Sequence, residues 1–398
     1  MASSAKGRSF DAVGLATVGL LGILGVRRRS ELVASRPAQE LKLPGVDCIV
    51  TGASSGLGAE VAWGLAKAGA GRVIMGCRSP ERCEQARVKM FKRCVLSFES
   101  STGDDPTESA SVSAASFRAA RRRHCRELVD RLEYHSLDLA SPESVRAFAE
   151  EALPSRSKQP VILVNNAGVM ADVSQDTEQV GDAMDAQMQT NHYGHFLLTR
   201  LLLPRMDPLS IIVVVASRAH RQGSLTIETQ EDSKSKLLRS EDIQGSPPWA
   251  RFLHALGLGW YARYARSKLC NVLFAAELRR RYPHGPLSVA VSPGLVNTGI
   301  FDSVPEPLGR FLGWGAKRFF QTPQEGAGHI LDAIAAAQAA QGWAEALTEG
   351  DMGVEGDDKD VPLYWHCGQP QEPSAAALHE GLAAALWRSS ELAVEVRR

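Results

Sequence analysis

Four polar residues in the second half of the chain could together carry out proton transfer: Asn191, Ser217, Tyr264 and Lys268. Tyr264 and Lys268 are four residues apart, so both would project from the same face of a helix. A phenol with a pKa of about 10 is a poor base at neutral pH, but a nearby cation favours its phenolate. Ser217 ends an apolar run at 211–216 and could bind the reacting oxygen, while Asn191 could hold a water molecule against Lys268. The set predicts acid–base catalysis.

A glycine-rich loop near the start of the chain could bind a pyrophosphate. The loop reads TGASSGLG at 51–58 and lies between a predicted strand at 47–51 and a predicted helix at 59–68. Backbone N–H groups and the positive end of a helix bind phosphate at such a position. A glycine cluster alone can be a simple turn, but the strand before it and the helix after it favour a dinucleotide site. The candidate cofactor residues here are Thr51, Gly52, Ser54, Ser55, Gly56, Leu57 and Gly58.

Three further segments extend the predicted cofactor site. Arg78 ends the predicted second strand, where an acidic residue would normally bind the ribose 2′-hydroxyl of NAD. A guanidinium suits a 2′-phosphate, which favours NADP(H) over NAD(H), although a solvated surface arginine is the alternative. Asp138 and Leu139 would follow the third strand near the adenine. Residues after the predicted fourth strand are small enough to allow the backbone close to the cofactor: Asn165, Asn166, Ala167 and Gly168.

The elements around these residues indicate an α/β protein. From Leu43 onward, short apolar strands alternate with longer helical stretches, which predicts one Rossmann-like, doubly wound parallel sheet with helices on both faces. Further buried strands are expected at 161–164, 211–216 and 287–291. We expect a dinucleotide-binding domain over 43–350.

Two polar segments and a C-terminal tail interrupt or follow this pattern. Residues 97–120 and 222–249 lack an apolar period and are expected to be surface insertions that leave the sheet intact. The tail at 351–398 is expected to be helical and to pack on the domain through four apolar residues at helical spacing: Leu378, Leu382, Leu386 and Trp387.

The N-terminal segment at 1–42 contains an apolar run. Residues 12–26 are uncharged and Arg27, Arg28 and Arg29 follow at once. As a helix the run would be about 22 Å long, short of the roughly 30 Å of a bilayer core. Membrane association through residues 10–29 is our first interpretation, with the folded part facing the cytosol at the endoplasmic reticulum or a lipid droplet. A cleaved signal, a transit segment for the chloroplast or another organelle, and a buried helix are the alternatives.

Composition excludes several classes of protein. Lys+Arg and Asp+Glu are both 45, which argues against nucleic acid as a partner. The seven cysteines contain no C-x-x-C pair, which rules out a zinc ribbon, argues against a disulfide-stapled secreted domain and favours a reducing compartment. The histidines lack metal-ligand spacing, so we expect no metal site. His192 and His195 are expected at a helix surface, and Cys270 in the core.

In combination these motifs resemble the short-chain dehydrogenase/reductase family over residues 43–345. The matching elements are TGASSGLG at 51–58, DL at 138–139, NNAG at 165–168, Asn191, Ser217, YARSK at 264–268 and SPGLVNT at 292–298. The resemblance implies that Tyr264 is the acid/base, that Lys268 lowers its pKa and binds the ribose, and that Ser217 positions the substrate oxygen. It also implies that Asn191 anchors a proton relay. Residues on the nicotinamide side would be Pro293, Gly294, Val296 and Thr298.

Within the family, the chain is most similar to the retinol-dehydrogenase-like group, on segments such as NHYGHFLLTRLLLP at 191–204 and ASRAH at 216–220. The resemblance implies an NADP(H)-dependent oxidoreductase acting on CH–OH groups of a lipophilic alcohol or carbonyl, of retinoid, steroid or isoprenoid type. It allows a homodimer. Ser217 and Tyr264 are 47 residues apart, farther than is usual in the family. The alternatives are a protochlorophyllide-reductase-like pigment reductase and a non-catalytic nucleotide-binding sensor or scaffold.

Overall fold

A computed structural model describes residues 41–99, 112–155, 157, 159–170, 186–229, 236–238, 259–297, 320–343 and 361–395. The apolar run at 12–26 lies outside the described residues, as do Thr298 and the sequence from 298 to 319.

One eight-stranded sheet forms the centre of the molecule. Its strands are β1 (Asp47–Thr51), β2 (Arg72–Cys77), β3 (Leu132–Ser136), β4 (Val161–Asn165), β5 (Ile211–Val215), β8 (Leu287–Ser292), β9 (Tyr364–His366) and β10 (Gln369–Pro370). Their order is β10-β9-β8-β5-β4-β1-β2-β3. All neighbouring pairs are parallel except β9 and β10. The chain order of the strands reverses between β1 and β4, which is where ligands bind in open α/β sheets.

Helices cover both faces of this sheet. They are α1 (Gly56–Lys67), α2 (Pro80–Glu99), α3 (Val112–Asp130), α4 (Pro142–Ala152), α5 (Gly194–Leu202), α6 (Gly259–Arg281), α7 (Pro323–Ala340) and α8 (Glu380–Glu395). One hydrophobic core packs α1, α2 and α7 on one face, and a second core packs α4, α5, α6 and α8 on the other. Strands buried on both faces explain the continuous apolar runs, such as IIVVV in β5. The predicted doubly wound parallel sheet is confirmed.

The first polar segment is partly helical. α2 continues to Glu99 and α3 begins at Val112, so the two helices form a hairpin. Cys94 and Cys125 join the helices in a disulfide, and Cys77 pairs with Cys83. The sequence argued against a disulfide-stapled secreted domain, yet the described part of the chain has two disulfides. One of them forms because helix packing brings together cysteines that are 31 residues apart.

The second polar segment contains a small antiparallel pair of strands, β6 (Ile227–Thr229) and β7 (Lys236–Leu238). This pair is separate from the eight-stranded sheet.

The central sheet continues beyond residue 350, where the sequence predicted that the helical tail begins. β9 and β10 lie beyond residue 350 and extend the central sheet, so the sheet includes part of the expected tail. Leu382, Leu386 and Trp387 are buried against the second core. The prediction for Leu378 is wrong, since this residue lies in a short 3₁₀ turn before α8 and is 51% exposed. In the part of the chain that the structure describes, no helix has the length and apolarity needed to span a bilayer.

Candidate active site

At the end of β1, the glycine loop packs so closely against the loop after β4 that two of its glycines have no space for a Cβ. Gly52 has a φ of 68° and an added Cβ would lie 2.9 Å from the Cα of Ala167. Gly58 packs against the backbone of Gly52 in the same way. Ser55 is the N-cap of α1, and its side chain makes no capping hydrogen bond. First-turn N–H groups that lack a side-chain cap can bind an anion.

Thr51 connects this loop to the loop after β4. Its Oγ1 accepts hydrogen bonds from the backbone N–H groups of Asn166, at 2.9 Å, and Ala167, at 3.0 Å. The Asn166 side chain donates to the backbone oxygen of Thr51 at 2.8 Å. Thr51 is fully buried and its Oγ1 also lies 2.8 Å from Nε2 of His195. The two loops that would hold a dinucleotide are therefore fixed to each other.

The other predicted cofactor residues fall into two groups. Arg78 is exposed and directly follows β2. Asp138 and Leu139 follow β3, where Asp138 Oδ1 accepts a hydrogen bond from the N–H of Ala140 at 3.0 Å. Asn165 differs, because its side chain is buried and donates to Thr199 Oγ1 at 2.9 Å. Asn165 therefore anchors β4 to α5, whereas Ala167 lies beside the glycine loop.

Asn191 lies within a π-helix at Gln189–Tyr193, immediately before α5. Its Oδ1 accepts from the N–H of Val169 at 2.8 Å, and its Nδ2 donates to the oxygen of Val169 at 3.0 Å. The same Nδ2 donates to Ser267 Oγ at 3.0 Å. Ser267 in turn donates to the backbone oxygen of Tyr264 at 2.8 Å. The amide of Asn191 therefore connects the loop after β4 to α6.

Ser217, Tyr264 and Lys268 meet at the carboxyl end of β5. Ser217 caps a short 3₁₀ helix after this strand, and its side chain is hydrogen-bonded to the Tyr264 side chain. Lys268 lies one turn after Tyr264 on α6, and its Nζ is 5.6 Å from the centre of the Tyr264 ring. The Nζ donates to the backbone oxygen of Val215 at 3.0 Å.

Burial dominates the ionisation of this pair. Burial raises the pKa of Tyr264 to about 12, and the hydrogen bond with Ser217 opposes this rise only in part. Burial also lowers the pKa of Lys268 to about 8. Tyr264 is half-buried and Lys268 is buried, and in both groups desolvation penalises the charged form. The resemblance implied a lowered tyrosine pKa, whereas the direction here is upward.

Gly168 separates two of the predicted catalytic side chains. A Cβ at this position would lie 3.4 Å from Asn191 Oδ1 and 3.5 Å from Lys268 Nζ. The absence of a side chain keeps this space open. The four candidate residues, from the π-helix, the cap after β5 and α6, are thus brought to one end of the sheet.

The loop after β8 forms another side of the site. Pro293 is buried, and Gly294 has a φ of 89° and lies against Gln321 and Cys367. Val296 is buried and pairs with Gln321 in an isolated β-bridge. Thr298 lies outside the described residues.

Two histidines that were expected at a helix surface are fully buried. His192 Nε2 lies 2.8 Å from Ser390 Oγ on α8, and His195 contacts Thr51. The surface expectation is wrong because α8 packs on His192, while His195 faces the end of β1. Burial lowers the pKa of His192 to about 3 and that of His195 to about 4.

A third histidine supports Ser217. His220 Nδ1 lies 2.8 Å from the backbone oxygen of Ser217, and its Nε2 accepts from the N–H of Ser374 at 3.1 Å. Burial lowers the pKa of this imidazole to about 4. The only sequence signal for it was the ASRAH segment at 216–220. Cys270 is buried in the second core, as expected.

Comparison with known proteins identifies the family. A profile described as short chain dehydrogenase matches residues 107–234. Retinol dehydrogenase 14 of Mus musculus is 32% identical over 360 residues, which are 88% of this chain and 86% of that protein. Retinol dehydrogenase 11 of Homo sapiens is 30% identical over 351 residues, covering 87% and 85% of the two chains.

A further relative carries a different substrate name. Polyprenol dehydrogenase of Danio rerio is 32% identical over 273 residues, which are 65% of this chain and 69% of that protein. These similarities extend over most of each chain and agree with the doubly wound sheet and with the four polar residues at its carboxyl end. The chain is therefore an oxidoreductase of the short-chain dehydrogenase family and belongs to its retinol-dehydrogenase-like group.

Proposed function

We propose that this chain transfers a hydride between NADP(H) and the reacting carbon of a lipophilic alcohol or its carbonyl counterpart. The observation that carries the proposal is the hydrogen-bonded pair of Ser217 and Tyr264 with the buried Lys268 one turn later. A sensor or scaffold would not need this proton-transfer set.

Tyr264 is the acid/base in this proposal. Because its pKa is raised to about 12, the side chain is protonated at neutral pH and can donate its proton to a carbonyl oxygen. Ser217 orients the tyrosine hydroxyl, and its single hydrogen can be donated either to Tyr264 or to the substrate oxygen. Lys268, with a pKa of about 8, can gain or lose a proton near neutral pH and so can return a proton towards Tyr264. Asn191 holds this side of the site through Val169 and Ser267.

The cofactor site fits a dinucleotide. The loop at 51–58 has two glycines with no space for a Cβ and a helix N-terminus that lacks a side-chain cap. In the proposal this loop holds the pyrophosphate, Arg78 binds the 2′-phosphate, and residues 293–296 line the nicotinamide side. When bound, the nicotinamide supplies or accepts the hydride.

The names of the relatives support a lipophilic substrate. They include retinol and polyprenol dehydrogenases. The segment at 301–320 is also rich in aromatic and apolar residues, which suits a bulky lipophilic ligand: Phe301, Phe311, Leu312, Trp314, Phe319 and Phe320. The proposal includes membrane association through residues 10–29 and a location facing the cytosol, because an apolar run is followed by three arginines there. It also includes a homodimer, which the family resemblance allows.

The catalytic test uses the full chain with NADPH and either retinal, a short polyprenal or a small polar aldehyde. We expect turnover of the lipophilic aldehydes, and Tyr264→Phe should lower kcat by roughly 10²–10⁴-fold. Tyr282→Phe is the matched control, because this hydroxyl accepts from Arg200 at the far end of α6. Turnover of only the polar aldehyde, or full activity of Tyr264→Phe, would overturn the proposal.

Cofactor preference has its own test. Arg78→Ala should raise the KM for NADPH by about tenfold or more and leave that for NADH unchanged, since only NADPH carries the 2′-phosphate. Arg87→Ala removes the same charge two turns further along α2, where the arginine pairs with Glu84. Equal effects of the two variants would contradict a 2′-phosphate contact.

A further inference from the structure

The hairpin of α2 and α3 extends past one edge of the sheet. α2 has 20 residues and is about 30 Å long, whereas β2 has 6 residues and is about 20 Å long. The end of α2 and the start of α3 therefore continue beyond the amino ends of the strands. The disulfide of Cys94 and Cys125 holds the two helices together at this point.

This hairpin is rich in cations. The two helices carry ten basic and five acidic residues, whereas the whole chain is balanced. Five arginines occur within residues 118–126 without an acidic residue among them. Arg122, Arg123 and Arg126 are exposed, and the Arg126 guanidinium lies 5.1 Å from the centre of the Phe91 ring on α2. The sequence that connects the helices adds three acidic residues, which leaves the hairpin cationic.

Apolar side chains are also exposed on this hairpin. Among the described residues, five large hydrophobic side chains are exposed, and three of them are on this hairpin: Val88, Leu96 and Phe117. Val88, Lys92 and Leu96 recur at intervals of four, so they form one ridge on the outer side of α2. Leu96 is 60% exposed. Exposed leucine and phenylalanine next to arginines are typical of a surface in the headgroup region of a bilayer, whereas nucleic acid binding needs only the cations.

The start of the described chain lies beside the base of the hairpin. The N–H of Leu43 donates to the oxygen of Ala68 at 2.8 Å. The Arg131 side chain, directly after α3, donates to the oxygen of Ala70 in the same turn. The described chain therefore begins on the side from which the hairpin extends. The connection from residue 29 to residue 41 can span roughly 40 Å at most.

We propose that the outer surface of the α2–α3 hairpin rests on a membrane that contains anionic phospholipids. Leu96 and Val88 enter the headgroup region, and Arg122, Arg123 and Arg126 bind lipid phosphates and carboxylates. The hairpin then forms a second membrane contact beside the N-terminal segment and fixes how the domain is oriented on the bilayer. This inference concerns a surface away from the four catalytic candidates and does not depend on the proposed reaction.

The first test measures lipid contact at a single position. The full chain is prepared with a photo-crosslinking amino acid at position 96 or at position 392 and is bound to vesicles of phosphatidylcholine with roughly 30% phosphatidylserine. Leu392 is the matched control, because it is also an exposed leucine, 48% accessible, but lies on α8. We expect a lipid adduct at position 96, a weaker one in pure phosphatidylcholine, and none at position 392. Equal adducts at both positions, or none at 96, would overturn the proposal.

The second test distinguishes an effect of the hairpin arginines from an effect of the net charge of the protein. Arg122→Gln with Arg126→Gln should lower the adduct yield at position 96 by about tenfold in phosphatidylserine vesicles. Arg146→Gln with Arg388→Gln removes the same charge from α4 and α8 and should leave the yield unchanged. Raising the salt from about 50 mM to about 0.5 M should weaken the wild-type adduct without any mutation. If the arginine pair instead abolishes binding to a labelled RNA and no lipid adduct forms, the surface binds nucleic acid and the lipid proposal is wrong.

Discussion

His195 Nε2 lies 2.8 Å from Thr51 Oγ1, which joins the π-helix of Asn191 to the end of β1. His195 Nδ1 lies 3.2 Å from the backbone oxygen of Asn191. A carbonyl oxygen can only accept, so Nδ1 carries the hydrogen and Nε2 accepts the hydroxyl hydrogen of Thr51. The Thr51 oxygen remains free to accept from Asn166 and Ala167. One neutral imidazole thus connects the π-helix of Asn191 to the glycine loop and to the loop after β4.

This arrangement makes His195 a positioning residue. His195→Leu should weaken NADPH binding and lower kcat, because Thr51 and the Asn191 carbonyl each lose a buried partner. We expect the free energy of unfolding to fall by about 1–3 kcal/mol. His195→Asn keeps a donor near the Nδ1 position and His195→Gln keeps an acceptor near the Nε2 position, so each should recover part of the loss. NADPH affinity, kcat and urea unfolding measure the three effects separately.

His192→Leu is the control for this series. It removes another buried imidazole three residues away, whose contact is with Ser390 on α8. Its effect should appear in stability and leave NADPH affinity near the wild-type value. Equal losses of NADPH affinity in His192→Leu and His195→Leu would show that the effect is only structural.

Acid should destabilise the protein through the same two histidines. Their folded pKa values are about 3 for His192 and about 4 for His195, below the ordinary value of 6.5. The folded state therefore binds fewer protons than the unfolded state, and stability is lost as pH falls from 6.5 towards these values. At about pH 5.5 each histidine should cost about 1.2 kcal/mol relative to neutral pH. Urea unfolding at several pH values measures this loss.

A single variant tests the assignment of the acid sensitivity. His192→Leu should show a shallower fall in unfolding free energy between about pH 7.5 and about pH 5.5, since one buried imidazole no longer has to be protonated. The neighbours with charge are His195 next to His192, and Lys268 next to His195. An unchanged slope in His192→Leu would assign the acid sensitivity to other groups.

The central sheet and the glycine loop could be predicted from sequence because their signals are local. Apolar runs of about five residues, bounded by glycine and polar residues, place β1, β2, β4, β5 and β8 in the chain. The right-handed crossover rule fixes the hand of each parallel connection but not the order of the strands, which is known only from the structure. The motif residues after these strands then meet at one edge without further information.

The environment of the histidines could not be predicted in this way. His192 is buried where Ser390 of α8, almost 200 residues away in sequence, contacts it. His195 is buried against Thr51 at the end of β1, 144 residues away. The Cys94–Cys125 disulfide also depends on a long-range packing of two helices. Such contacts leave no periodic signal in either segment.

The buried charge of Lys268 should lower the free energy of unfolding relative to a variant with an uncharged side chain at this position. Its pKa is lowered to about 8 by burial, so the charged form is penalised at neutral pH. Lys268→Met should therefore raise the free energy of unfolding by about 1–3 kcal/mol at pH 7 while it abolishes turnover. The carbonyl of Val215 keeps a partner, because Asn271 Nδ2 also donates to it at 3.1 Å.

The pH dependence gives the Lys268 assignment a second measurement. The folded pKa lies below the ordinary value of 10.5, so the wild type should become more stable as pH rises from 8 towards 10.5. Lys268→Met should lack this rise, and unfolding in urea at pH values across this range would detect the difference. A variant that is less stable than the wild type at pH 7 would contradict a penalised buried charge.

Gly52 combines a positive φ with a close contact to the loop after β4. An alanine there would adopt a φ of 68° and place its Cβ 2.9 Å from the Cα of Ala167. Gly52→Ala should therefore lower both stability and NADPH affinity, because the glycine loop and the loop after β4 must separate. Gly69→Ala is the matched control, since Gly69 has a φ of 93° but open space around its Cβ position. It should cost only the backbone strain of about 1–2 kcal/mol and leave NADPH affinity unchanged. Calorimetric titration with NADPH and urea unfolding of both variants separate steric contact from strain, and equal NADPH affinity in the two variants would contradict the tight packing of the two loops.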